Sequence, residues 1–216
     1  MNDLKQSTVL ATLIGDIVGS RVAADRSVLH ERLVTTLAEA NTRLRPVVPL
    51  RITVADEFQG CFPTVGEALH ASLWLRLRLA PVQLRHGVGW GAVGVLAEEP
   101  RVEDGPGWWV ARAAIEAVKA DASRAGTRLM RTAYRLAEET DGPDPGAVNA
   151  ALVCRDQMIG SMSERSLRLL RGVLDGDSQA ELAAAEGISA SAVSQRVRND
   201  GLAMVALADE LLEEVR

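Results

Sequence analysis

The chain has 216 residues, of which 47% are apolar and 3% aromatic, so a core built mainly from Ala, Leu and Val is expected. That length allows one full core and a small second domain. With 24 Lys and Arg against 29 Asp and Glu, the formal net charge of −5 excludes nucleic-acid binding through overall charge and confines any DNA contact to a local patch.

Residues 8–14 are apolar and rich in β-formers, end at Gly15, and predict a buried strand. Over 27–44 the apolar residues Val28, Leu29, Leu33, Val34 and Leu37 recur at helical spacing, with Asp25 or Ser27 as N-cap. Residues 50–54 and 59–62 flank an Asp-Glu-Phe corner and predict a hairpin. Thr64 followed by Glu67 forms a capping box before a helix over 65–79, which Pro81 stops. Residues 82–95 read as a strand dense in glycine; Gly87, Gly89 and Gly91 there suit the close approach of a ligand or of another backbone. A helix over 108–125 and a strand over 127–132 follow. The order β-α-β-β-α-β-α-β predicts an α+β domain at 1–140, of ferredoxin-like or palm type, with a mostly antiparallel sheet and helices on one face.

The acidic, Pro- and Gly-containing segment 138–146 marks a boundary, and 147–216 reads as an all-α domain. Its helices are expected at 147–158, 163–174, 179–185, 190–199 and 202–215. Cys61 and Cys154 lie far apart without metal-ligand spacing and read as free thiols. The N-terminal apolar run is interrupted by Asp16 and fits neither a signal peptide nor a membrane span, which predicts a cytoplasmic protein with no membrane partner.

Two acidic points stand at the ends of β-like runs: Asp16 in the first, and Asp56 with Glu57 in the hairpin. If the runs are neighbouring strands, these carboxylates converge as metal ligands, and oxygen donors beside Gly-rich backbone suit Mg²⁺ and a triphosphate. The plainer alternative is that Asp16 ends a strand and Asp56–Glu57 makes a turn. Trp108 and Trp109 stack a purine or belong to the core.

Between Gln179 and Arg198 the spacing is that of a helix-turn-helix. Gly187 permits the left-handed turn, Ile188 plugs the angle and Ser189 caps the second helix, which Val193 and Val197 anchor. Its outward face carries Ser191, Ser194, Gln195, Arg196 and Arg198. With Ser189 these are the candidate DNA-binding residues, Gln195 for adenine and the arginines for guanine or phosphate. Leu202, Val205, Leu212 and Val215 share a face of the last helix, which reads as the seam of a homodimer.

Taken in order, Ile-Gly-Asp-Ile-Val-Gly-Ser-Arg (14–21), Asp-Glu-Phe-Gln-Gly (56–60), Arg-His-Gly-Val-Gly-Trp-Gly (85–91), Asp-Gly-Pro-Gly-Trp-Trp-Val-Ala-Arg-Ala-Ala-Ile-Glu (104–116) and the late Gln-Ala-Glu-Leu-Ala (179–183) with Val-Ser-Gln-Arg (193–196) resemble the SatD family of bacterial proteins. The first part also resembles, more distantly, the palm domains of class III nucleotidyl cyclases and GGDEF diguanylate cyclases. That resemblance implies that Asp16 and Asp56 bridge Mg²⁺ and that the backbone N–H groups of Ile17, Val18, Gly19 and Ser20 cap a triphosphate. Arg85, Gly87 and Gly91 echo the Arg-x-Gly-x-x-x-Gly strand of those enzymes, and Arg112 stands for their late-helix arginine. Departures are clear. Val54 and Ala55 replace the two glycines of a GGDEF motif, Ile52 stands where a base-selecting Lys belongs, and Trp109 and Val110 leave no Asn. Losing a transition-state donor weakens catalysis by about two to three orders of magnitude. The second part resembles sigma-factor region 4. The combined expectation is a DNA-binding transcriptional regulator with a catalytically inactive, nucleotide-binding palm domain. The alternative is a nucleotidyl cyclase or nucleotidyltransferase using Asp16 and Asp56 as metal ligands.

Overall fold

The structure is a computed structural model that describes residues 7–20, 25–99 and 101–216; Arg21, at the end of the first motif, lies outside the described residues. Strand β1 (Thr8–Ile17) leads into helix α1 (Arg26–Leu44), and the hairpin β2 (Val48–Val54) and β3 (Glu57–Phe62) into α2 (Val65–Leu79). A long strand β4 (Leu84–Glu98) turns back through β5 (Arg101–Asp104) to α3 (Pro106–Ala122), and β6 (Thr132–Leu136) closes this part. Five helices follow: α4 (Pro145–Gly160), α5 (Glu164–Asp175), α6 (Gln179–Glu186), α7 (Ala190–Asn199) and α8 (Leu202–Glu213).

Local chemistry places the helix starts. The Asp25 carboxylate accepts from the Ser27 and Val28 amides at the head of α1. Thr64 accepts from the Glu67 amide at the head of α2, and Ser178 and Glu181 form a full capping box on α6. Each cap satisfies amides that a helix start leaves without an internal partner.

The sheet order is β2-β3-β1-β4-β5, with β6 also paired to β4. Strand β1 runs antiparallel to both of its neighbours, β3 and β4, with Asp16 opposite Arg85, while β6 is parallel to β4. The units β1–α1–β2 and β3–α2–β4 are split β-α-β crossovers, the ferredoxin-like arrangement. Side chains alternate along β1: Ala11, Leu13 and Ile17 face α1 and α2, whereas Ile14 shares a cluster with Trp108, Ala111 and Ile115 of α3. Helices therefore cover both faces, which corrects the expectation of one. The glycines of β4 give the reason. A Cβ on Gly87, Gly89 or Gly91 would meet the backbone of α3 at Ala111, Gly107 or Ile115, so α3 lies directly on the strand.

Three further differences appear. The hairpin strand β5 had no sequence signal. The last strand lies at Thr132–Leu136 rather than 127–132, because its pairing with His86–Trp90 of β4 decides its place. The face of α8 read as a dimer seam is used inside the chain. Leu202 and Val205 pack with Leu73 and Leu77 of α2, Leu212 joins the main core, and Val215 rests against it. Met204, Leu207 and Leu211 of that helix are exposed instead. Helix α2 thus serves two cores, one under the sheet with Val148 and Leu152 of α4, the other among α5–α8.

Candidate functional site

The split crossovers bring the end of β1, the β2–β3 turn and the start of β4 to one end of the sheet. Asp16 and Glu57 stand on the α3 face there. The Asp16 carboxylate accepts from Arg85, at 2.8 Å from Nε and 3.2 Å from Nη2, and Lys119 Nζ lies 3.3 Å from its Oδ2. Glu57 accepts two bonds from Arg112 at 2.5 and 2.6 Å. That bidentate bond holds the Glu57 carboxyl below the usual carboxylate range against the opposing effect of burial, and holds the Arg112 guanidinium above its ordinary value. Lys119 is shared: its ammonium is also 2.7 Å from Glu116 Oε1, one turn back on the same helix.

Asp56 occupies the turn between the two faces. Its Oδ2 accepts from the Ile17 amide at 3.1 Å, which ties the hairpin to the residue after Asp16. The turn is strained: Ala55 has a φ of 57°, a left-handed conformation that a side chain disfavours. On the α1 side Asp56 and Ala55 line a cavity of about 560 Å³ with Ile17, Ser20, Arg26, Ser27 and His30, and Leu29, Leu33 and Ile52 form its apolar wall.

The expected nucleotide residues are thus divided. Ile17 and Ser20 line the cavity, and Gly19 makes a left-handed turn at φ 73°. Of the four amides expected to cap a triphosphate, that of Ile17 is bound to Asp56 and that of Val18 to the Gln83 carbonyl. Arg85 and Arg112 lie on the other face, against the carboxylates. Lys119 and Glu116 were missed by sequence reasoning, although the spacing Arg112, Glu116, Lys119 on one face of α3 was a usable signal. The tryptophans are remote from this corner. Trp108 is buried in the core, and exposed Trp109 donates to Asp104, ten residues along α3 from Lys119 or about 15 Å.

Oxygen donors of the kind Mg²⁺ takes stand at this end of the sheet. This ion is usually held by one or two carboxylates, with waters and substrate phosphates completing the shell. Asp56 is bonded to the amide of the residue after Asp16, and the Lys119 ammonium stands against Asp16 Oδ2. Among the described residues no cluster of three or more His, Cys, Asp or Glu side chains forms an all-protein cage.

In the helical part, Ser189 caps α7 by accepting from the Ala192 amide, after a left-handed Gly187 at φ 63°. Ser189, Ser191, Gln195 and Arg198 are exposed and Ser194 is half-buried. Arg196 was expected on the outward face; it turns inward and donates to Ser166 and Asp200, at 3.3 Å each. Arg165 and Arg168 of α5 are engaged by Glu186.

Among the described residues no helix is long and apolar enough to cross a membrane. Two structures of a bacterial light-regulated adenylyl cyclase align over 60% of this chain, at 14% and 15% identity and a TM-score of 0.47 each. The alignments span 43% and 77% of those chains, so this chain matches less than half of the first. The adenylyl cyclase CyaB from P. aeruginosa aligns over 50% of this chain and 70% of its own, at 13% identity and a TM-score of 0.37. These likenesses are remote in sequence and partial in fold. No curated protein sequence matches the chain. The sequence profile of the SatD family matches residues 10–210, nearly end to end, and the chain belongs to that family.

Proposed function

We propose that this end of the sheet binds a nucleotide together with Mg²⁺, in a domain of nucleotidyl cyclase or nucleotidyltransferase type. One observation carries the reading: Asp16, Arg85, Arg112 and Lys119 gather at one end of the sheet on the α3 face, and Asp56, bonded to the Ile17 amide, lines a cavity of about 560 Å³ at the same end on the α1 face. Leu29, Leu33 and Ile52 offer an apolar wall for a base, and Ser20, Arg26 and His30 offer polar groups for sugar and phosphate. Asp16 and Asp56 are the residues to hold Mg²⁺, with Glu57 next to them. The ion, when bound, would supply charge neutralisation and Lewis acidity at the phosphates. Arg112 is the donor placed to meet charge developing there, once Glu57 releases it.

The test is thermal unfolding of the whole chain with ATP, GTP, CTP or UTP, with and without Mg²⁺, followed by a pyrophosphate assay. A Mg²⁺-dependent rise in melting temperature that Asp16→Ala and Asp56→Ala abolish supports the site. Sustained pyrophosphate release makes the chain an enzyme, whereas binding without release makes it a sensor. No stabilisation by any nucleotide at millimolar concentration would overturn the reading.

A second reading adds a DNA-binding role for α6 and α7. It is favoured by the exposed Ser189, Ser191, Gln195 and Arg198 on the capped helix α7, side chains suited to base edges and phosphates. With Arg196 turned inward, few free cations remain, so retention of DNA would be salt-sensitive and weak per copy; two copies would double the phosphate contacts. Unchanged electrophoretic mobility of genomic fragments at low salt, alone and with nucleotide, counts against it.

A further inference from the structure

We propose that Lys119 is a built-in competitor for the divalent cation at Asp16, released onto Glu116 when the cation enters. The inference rests on the cation reading of the corner and adds a control to it. Three observations support it. First, the ammonium is shared between two carboxylates from different elements, 3.3 Å from Asp16 Oδ2 on β1 and 2.7 Å from Glu116 Oε1 on its own helix. It can leave Asp16 without losing its partner. Second, the Lys119 side chain is 30% exposed and Asp16 only 12%. The ammonium is carried on a flexible four-carbon stem, which lets it change partner.

Third, the other cations cannot play this part. Arg85 lies directly opposite Asp16 in the β1–β4 ladder and grips it at two points. Arg112 is committed to Glu57 by two short bonds. Of the three, only Lys119 already lies within ion-pair distance of two carboxylates. A point charge against Oδ2 and a divalent ion on the same oxygen repel one another strongly at that range. Cation entry therefore competes with the Lys119–Asp16 contact, while Arg85, 3.2 Å from the same oxygen, stays in place in both states. In the free protein Arg85 and Lys119 are paired with Asp16, and metal affinity is set by how readily Lys119 moves to Glu116.

The test uses Mn²⁺ alone as the probe on the whole chain, with unbound ion read by its electron paramagnetic resonance signal. Lys119→Gln should bind Mn²⁺ about tenfold more tightly than wild type, because one positive charge next to the ion is gone. Lys119→Arg should stay near wild type. Glu116→Gln should weaken binding in the wild-type background and much less in Lys119→Gln, since the release position matters only when there is an ammonium to receive. Thermal unfolding of each variant checks that the fold is kept. Equal Mn²⁺ affinity for wild type and Lys119→Gln, with Asp16→Asn weaker than both, overturns the role of Lys119 and leaves the cation site standing. No Mn²⁺ binding by either protein at millimolar concentration removes the cation site and this proposal with it.

Discussion

Two ion-pair networks sit at different depths in this molecule. At the sheet end, Asp16, Glu57, Arg85, Arg112 and Lys119 are all partly open to water, with side-chain exposures from 12% to 44%. At the junction of α2 with α4 and α8 the two carboxylates, Asp156 and Asp209, and Arg155 are sealed. Asp156 is fully buried and accepts from Arg76 and from the Arg131 and Thr132 amides. Arg155, 2% exposed, meets Asp209, which also accepts from His70. Burial decides what each network can do. A buried pair stripped of one partner leaves a charge that water cannot reach, so the junction can only hold α2, α4 and α8 together. A rim pair can exchange its partner for solvent or for a ligand at small cost, so the corner is free to rearrange.

The largest expected difference comes from Asp156→Ala. It strands the half-buried Arg76 and two amides, and should lower stability by about 3–5 kcal/mol in denaturant unfolding. A loss below 1 kcal/mol would erase the distinction between the networks. The next effect is on acid stability. His86 is fully buried, with neither ring nitrogen partnered among the described residues, and burial, helped by Arg76 and Arg155, pushes its pKa from 6.5 down to about 3. The unfolded chain takes up a proton that the folded one refuses, so stability should fall as pH drops from about 6.5 towards 3.

His70 acts in the opposite sense. Burial disfavours its charge, but the Asp209 hydrogen bond and the charges of Asp209 and Glu213 outweigh this and raise its pKa. Its contribution is present below 6.5 and is lost as pH rises through the raised value. His86→Leu should flatten the acid limb in urea titrations across that window, and an unchanged slope would assign the limb to other groups.

At the corner the effects should be small. Asp16→Asn should shift stability by about 1 kcal/mol or less, since Arg85 and Lys119 can turn to water. A loss as large as that of Asp156→Ala would make the corner a structural clamp. Smallest is Ala55→Gly, which relieves the left-handed Ala55 and should stabilise the hairpin by about 0.5 kcal/mol, read from the denaturation midpoint.

Much of the architecture was legible because short-range chemistry fixes it. The capping box at Thr64 and Glu67 gives the α2 start, and the apolar run ending near Asp16 gives β1. The two acidic points of the corner were legible for the same reason, as polar residues closing apolar strands. What escaped depends on long-range pairing. Strand β5 has only four residues and exists because β4 is there to bond it. The glycines of β4 announce a close approach without saying by what, and α3 proves to be the partner. Arg85 reaches Asp16 through strand register, and Lys119 reaches it across the face of the sheet. A sequence shows charges but not which of them will neutralise one another.

The central claim is most directly tested by calorimetric titration of Mg²⁺-loaded ATP and GTP into the whole chain and into Asp56→Asn, which keeps an acceptor for the Ile17 amide and loses the charge. Saturable Mg²⁺-dependent binding to the wild type, weakened at least about tenfold in Asp56→Asn while the melting temperature holds, is the predicted result. Equal binding by the two proteins, or heat that does not depend on Mg²⁺, would contradict a shared cation at the end of β1 and the β2–β3 turn.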